Sequence, residues 1–174
     1  MIVFDTETTN LLMPEIADLS SQPYMIEVAV IKLGPKYKEV ARYSTLLNPA
    51  VPLDEATHKS ITGLTSADLA DAPIFLEVYE KLAALFLGED MLVAHNLSFD
   101  LGVLTTELKR IGKEFAFPYP PTQICTVEST KHLKGHRLKL VELHELKVGK
   151  KFKQAHRALS DVEALVRIIK EMKL

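Results

Sequence analysis

The chain has a single cysteine, Cys125, among 174 residues. An internal disulfide is therefore excluded, and the composition suits a reducing compartment; a cytoplasmic location is expected. No apolar run approaches the roughly 18–20 residues that a membrane-spanning helix needs. The N-terminus lacks a basic region followed by a small-residue cleavage site, so no signal peptide is expected. No internal repeat, low-complexity tract or linker divides the chain, and a single domain over residues 1–174 is expected. What is present is ordinary for a globular domain, with 47% hydrophobic and 25% charged residues.

The net charge of −2 hides an asymmetry. Residues 1–100 hold 6 Lys/Arg against 15 Asp/Glu, and residues 101–174 hold 15 against 8. The basic excess gathers between Lys131 and Arg157, including Lys134, Arg137, Lys139, Lys147, Lys150, Lys151 and Lys153. Such a stretch is either a solvated face or a surface that steers an anionic polymer.

The first ten residues carry the chemistry most openly. Ile2-Val3-Phe4 is a β-branched and aromatic run that reads as a buried strand. Asp5 and Glu7 follow, two residues apart, so their side chains share a face. Two carboxylates on one face repel unless a cation lies between them, and hard oxygen donors suit Mg²⁺ or Mn²⁺.

Further along, residues 24–33 and 38–47 read as strands separated by Gly34-Pro35, which predicts an antiparallel meander with the opening strand. Residues 11–23 read as a loop, and a short helix is expected near Asp54–Ser60. Asp71-Ala72-Pro73 is a helix-start signal, with Asp71 as N-cap and an apolar stripe of Ile74, Val78, Leu82, Leu85 and Phe86 ending at Gly88. Met91–Ala94 reads as a buried strand and Ser98–Gly112 as a helix. A strand over Thr122–Thr126, one or two helices around Gly135 and a last helix over Ala158–Met172 complete an α/β plan on a mixed sheet of five strands.

Two more polar clusters stand at the starts of helices. His95-Asn96-Leu-Ser-Phe99-Asp100 ends a strand and opens a helix. Alone, Asp100 reads as an acid favoured by the helix dipole. His156-Arg-Ala-Leu-Ser-Asp161 opens the last helix, and alone it reads as capping plus a surface histidine. His58, His132, His136 and His144 have no recognised ligand spacing and are expected at the surface, while Cys125 is expected in the core.

In this order, Phe-Asp5-Thr-Glu7-Thr-Thr, His95-Asn-Leu-Ser-Phe-Asp100 and His156-Arg-Ala-Leu-Ser-Asp161 resemble the three motifs of the DEDDh 3′→5′ exonucleases, the group of the DNA polymerase III epsilon proofreading subunits. The resemblance extends over the whole chain. Ile61–Thr65 with Ala72-Pro73 resembles the family's terminal-nucleotide segment, and Leu138–Leu143 its small helix before the third motif. Asn10 stands where the family usually has Gly, Thr62 where a substrate-contacting His is frequent, and residues 11–23 are longer than the usual link.

The resemblance implies a ribonuclease H-like mixed five-stranded sheet with flanking helices. It implies a pair of divalent cations, Mg²⁺ or Mn²⁺, bridged by Asp5, with Glu7 and Asp161 on one ion and Asp100 on the other. His156 would be the general base, and Thr8, Thr62, His95 and Phe99 the contacts to the terminal nucleotide. The implied reaction removes nucleoside 5′-monophosphates from the 3′ end of single-stranded nucleic acid, with DNA and a proofreading role expected and a DNA polymerase as a further partner. An RNA-trimming exoribonuclease of the same family, a catalytically silent binding module and an endonuclease on a related sheet are the alternatives.

Overall fold

A computed structural model describes residues 1–54, 59, 62–153 and 156–174. Five strands form one sheet: β1 (Ile2–Thr8), β2 (Met25–Leu33), β3 (Glu39–Leu46), β4 (Met91–Ala94) and β5 (Thr122–Cys125). Their order across the sheet is β3-β2-β1-β4-β5. β1–β3 form the expected antiparallel meander, and β4 and β5 join it in parallel. The helices are α1 (Ser66–Leu69), α2 (Phe75–Phe86), α3 (Leu97–Arg110), α4 (Thr126–Thr130), α5 (Leu140–Val148) and α6 (Ala158–Met172).

β1 is central, and its alternation divides the core in two. Ile2 and Phe4 face a cluster with Val78, Leu82 and Phe86 of α2 and Leu104 and Leu108 of α3. Phe4 and Phe86 meet edge to face, with ring centroids 5.7 Å apart. Val3 faces the opposite way, among Leu143 of α5 and Val162, Leu165 and Ile169 of α6. Asp5 and Glu7 continue the Val3 row, so the sheet's pleat delivers both acids to the face covered by α6.

Some expectations shift. α2 begins at Phe75, not at an Asp71 cap, because Glu77 accepts the Ile74 backbone N–H at 2.9 Å and supplies the cap from within the helix. Upstream, the Pro73 carbonyl accepts the Asn48 N–H at 3.0 Å, which ties that segment to the end of β3. The small helix expected over Leu138–Leu143 runs over Leu140–Val148. The expected helix near Asp54–Ser60 falls mainly outside the described residues, as do His58 and Ile61.

Residues 9–24 are an organised loop. The Gln22 side chain donates to the Met13 and Ile16 carbonyls at 2.7 and 2.6 Å and accepts the Met13 N–H at 3.1 Å. Arg110, at the end of α3, donates to the carbonyls of Leu19, Gln22 and Pro23. Its guanidinium lies 3.7 Å from the Tyr24 ring centre and pairs with buried Glu107. Leu12 rests over α3 where a side chain on Gly102 would collide with it: a Cβ there would lie 2.5 Å from Leu12 Cδ1.

Candidate active site

β4 is shorter than β1 and pairs with that strand only at Ile2 and Val3. Beyond Phe4, that edge of β1 has no neighbouring strand, and α3 fills the place. Asp100, in the first turn of α3, accepts the Thr6 backbone N–H at 3.0 Å and the Thr6 hydroxyl at 2.8 Å, both through Oδ1. A buried carboxylate thus satisfies a backbone donor that the sheet leaves open. The turn into α3 needs Asn96 in the left-handed region (φ 72°), where Asn is among the residues that pay least.

Asp161, in the first turn of α6, approaches from the other side and is buried. Asp5, Glu7 and Asp161 each offer an oxygen within 4.8 Å of the others. Burial is the main force acting on these acids. It raises Asp5 well above the usual carboxylate range, reinforced by the charges of Asp100, Glu7, Asp161 and Glu27. Burial pushes Glu7 up to about 8, with Asp161, Glu27 and Asp100 adding to it and Arg157 opposing. Burial likewise pushes Asp100 to about 7 against the hydrogen bonds from Thr6. An all-carboxylate donor set, closely spaced and short of positive charge, fits a hard divalent cation rather than a nitrogen- and sulfur-seeking one. The acidic cluster has the donor chemistry that a divalent-metal site requires.

His156 stands exposed just before α6, with φ at 47°. The nucleotide-contact candidates are spread more widely. Thr8 is buried and its hydroxyl donates to the Asn10 carbonyl at 2.7 Å. Thr62 is buried, and its hydroxyl accepts the Leu64 N–H at 3.3 Å. His95 is half-buried, shares a hydrogen bond with the Thr126 hydroxyl at 2.9 Å and bonds the Leu138 backbone. Burial, helped by Arg137, lowers it to about 4, so its imidazole is neutral near neutral pH. Phe99 is half-buried against the β1–α3 core.

Four participants escaped the sequence reading. Thr6 holds Asp100. Arg137 donates to Asn96 Oδ1 at 2.7 Å and ties the segment before α5 to the head of α3. Glu27 lies opposite Glu7 in the β1–β2 register, and Arg157 bridges to it. The usable signal was Glu27 itself, a lone acid inside the apolar run Met25–Leu33. His144 also corrects an expectation: it is buried, with Nδ1 donating to the Lys150 carbonyl at 2.8 Å and Nε2 accepting from Arg167 Nε at 3.1 Å. The pairing of α5 with α6 encloses it, which its position in a polar-looking segment conceals.

A mixed sheet bearing four acids at its centre, two from one strand and one from each of two helices, defines a metal-dependent nuclease of the ribonuclease H-like class. The chain belongs to the exonuclease family RNase T, whose profile matches residues 2–169. It is 35% identical over 180 residues to a DNA polymerase III PolC-type of Bacillus cereus, covering 98% of this chain and 11% of that protein. A DNA polymerase III subunit epsilon-like protein of Rhodobacter capsulatus is 30% identical, over 99% of this chain and 24% of its own length. This chain thus spans only a small fraction of the relatives it matches. In fold it is similar to the nuclease domain of 3′hExo, a DEDDh family member solved with rAMP, at a TM-score of 0.75 and 20% identity, covering 99% of this chain and 90% of that one. It is also similar to E. coli Exonuclease I solved with a dA16 oligonucleotide, at a TM-score of 0.73 and 15% identity over 99% of this chain and 40% of that chain. The chain is thus an exonuclease-family domain. No helix among the described residues is long and apolar enough to cross a membrane.

Proposed function

We propose that this domain is a two-metal 3′→5′ exonuclease that releases nucleoside 5′-monophosphates from single-stranded nucleic acid, with DNA as the polymer. The convergence of Asp5, Glu7 and Asp161 within 4.8 Å, beside a tethered Asp100, carries the reading. Asp5, Glu7 and Asp161 would hold one Mg²⁺ or Mn²⁺, and Asp5 with Asp100 the second. Bound there, two such ions polarise the phosphodiester, acidify water and stabilise the leaving oxygen.

The chain's own residues do the rest. An imidazole nitrogen of His156 takes the proton from the attacking water, the part that histidine most often plays in general acid–base catalysis. The water oxygen bonds to phosphorus, the bond from phosphorus to the 3′ oxygen breaks, and that oxygen regains a proton as a new 3′ hydroxyl. Thr8, Thr62, His95 and Phe99 would bound the pocket of the terminal nucleotide. Thr8 and Thr62 would act mainly by shaping its backbone, since their hydroxyls already bond within the chain. The exposed lysines between Lys131 and Lys153 would steer the polymer. The names of the similar polymerase proteins support editing of a polymerase product as the setting, with a DNA polymerase as partner.

A 5′-labelled single-stranded oligonucleotide with Mg²⁺ should give a ladder of shortening products. Asp161→Asn should abolish it and His156→Ala should reduce it to a slow residual rate, about 10²–10⁴-fold down, with the fold retained in both. Cleavage of a circular single strand would refute the exonuclease reading, and faster turnover of a matched RNA would refute DNA as the polymer.

A further inference from the structure

Glu27 is a fifth carboxylate at this site, directly across from Glu7 and 2% exposed. Like charges facing each other across a strand pair are unfavourable. Glu27, however, accepts from three donors, with both of its oxygens engaged. Arg157 Nε donates to its Oε2 at 2.9 Å and Arg157 Nη2 to its Oε1 at 3.1 Å. The Ala158 backbone N–H donates to Oε2 at 3.2 Å.

All three donors belong to the head of one helix. Arg157 is the N-cap residue of α6, and its own side chain makes no capping bond. The first N–H groups of a helix need acceptors from elsewhere and favour negative charge. Glu27 supplies both from the neighbouring sheet, 130 residues away in sequence. A planar guanidinium held by both carboxylate oxygens fixes orientation as well as distance.

His156 is the next residue back. Its φ of 47° is a conformation that residues with a Cβ adopt reluctantly, so the surroundings must hold it. On the near side the clasp to Glu27 does so. On the far side the described chain is held at Lys150, whose carbonyl accepts from His144.

We infer that Glu27 and Arg157 form a positioning pair that clasps the head of α6 and sets His156 over the carboxylate cluster. Neither residue holds metal or touches substrate. Both Glu27 oxygens are occupied, so Asp161 rather than Glu27 completes the cluster. This inference rests on the exonuclease reading, in which His156 is the base.

The test is Glu27→Gln, which keeps the shape but removes the charge and one of the two acceptors. On a single-stranded oligonucleotide with Mg²⁺, kcat should fall about 10–100-fold, the scale of loss when a reacting group is misplaced by about 1 Å, with KM nearly unchanged. In a His156→Ala background the same change should cost no further rate. In the protein without nucleic acid or metal, the His156 imidazole resonance, assigned by its loss in His156→Ala, should shift and broaden. Arg157→Lys keeps the charge but not the fork and should reproduce all three effects; it also serves if Glu27→Gln fails to fold. Full rate with an unmoved His156 resonance would overturn the inference. So would an equal loss in the His156→Ala background, since the pair would then act through the metal or the fold. If the wild type shortens no substrate, the exonuclease reading falls by itself, and the resonance still decides whether the clasp positions His156.

Discussion

Replacing Glu7 with Gln should make the metal-free protein more stable while destroying its function. Burial and neighbouring carboxylates raise Glu7 from 4.5 to about 8. The folded chain therefore keeps a proton at Glu7 through a range where the unfolded chain has released it. Stability from this group is complete below 4.5 and is lost as pH rises through about 8. Near neutral pH the difference amounts to about 3 kcal/mol against a side chain that does not titrate, as a ceiling. For a chain of this length that corresponds to a rise in melting temperature of about 6–12 °C. The Glu7–Glu27 opposition is part of this difference.

The assay is a set of thermal melts in EDTA from mildly acidic to mildly basic pH, for wild type and Glu7→Gln. The wild-type melting temperature should fall across this range, and that of the variant should fall less. Adding Mn²⁺ should narrow the gap, because a cation at a hundred times its dissociation constant contributes about 2.7 kcal/mol to the wild type and less to a site with one ligand missing. A variant no more stable than wild type in EDTA at neutral pH would refute the view that the cluster stores repulsion for a cation.

Thr6→Val removes the hydroxyl that holds Asp100 Oδ1 while leaving the backbone bond; the metal concentration for half-maximal stabilisation should rise about tenfold or more, read by melting against Mn²⁺. Arg110→Ala strips three carbonyls of the 9–24 loop of their donor and leaves buried Glu107 without its cation. A loss of about 3–5 kcal/mol and faster proteolysis within that loop should follow, measured by urea denaturation and limited digestion. His144→Leu deletes the bonds to Lys150 and Arg167, and a loss of about 1–3 kcal/mol should show in the same denaturation.

The parts of this fold that were legible in the sequence are those where one period dominates. α6 has the bounds the apolar spacing indicates, Ala158–Met172, because its buried face recurs without interruption. The alternation through Val3, Asp5 and Glu7 put both acids on one face, and they share it. Where a distant partner sets the outcome, the sequence was silent. The start of α2 depends on Glu77 reaching back and on Asn48 binding Pro73, so Asp71 misled. His144 lies in a segment that reads as polar, and only the approach of α6 buries it. Glu27 looked like an incidental charge within a strand. Its meaning depends on Arg157, 130 residues later, and no local pattern relates the two.

The shortness of β4 has a consequence for how the site comes apart. Asp5 and Glu7 ride on a strand whose backbone is bonded to β2 along its whole length. Freeing them requires unzipping the middle of the sheet, which costs nearly the full unfolding free energy. His156 and Asp161 ride on the end of a helix held by the Glu27 clasp and the packing of Ala158 and Val162, and opening that end leaves the sheet intact. Amide exchange would then be slow along β1 and fast at the head of α6, so a partly open molecule would retain its acids on β1 while His156, the proposed base, was already out of place. On the proposed mechanism such a molecule would keep part of its hold on a cation but could not cut, which would make fraying at one helix end a lapse in catalysis before it is a loss of structure.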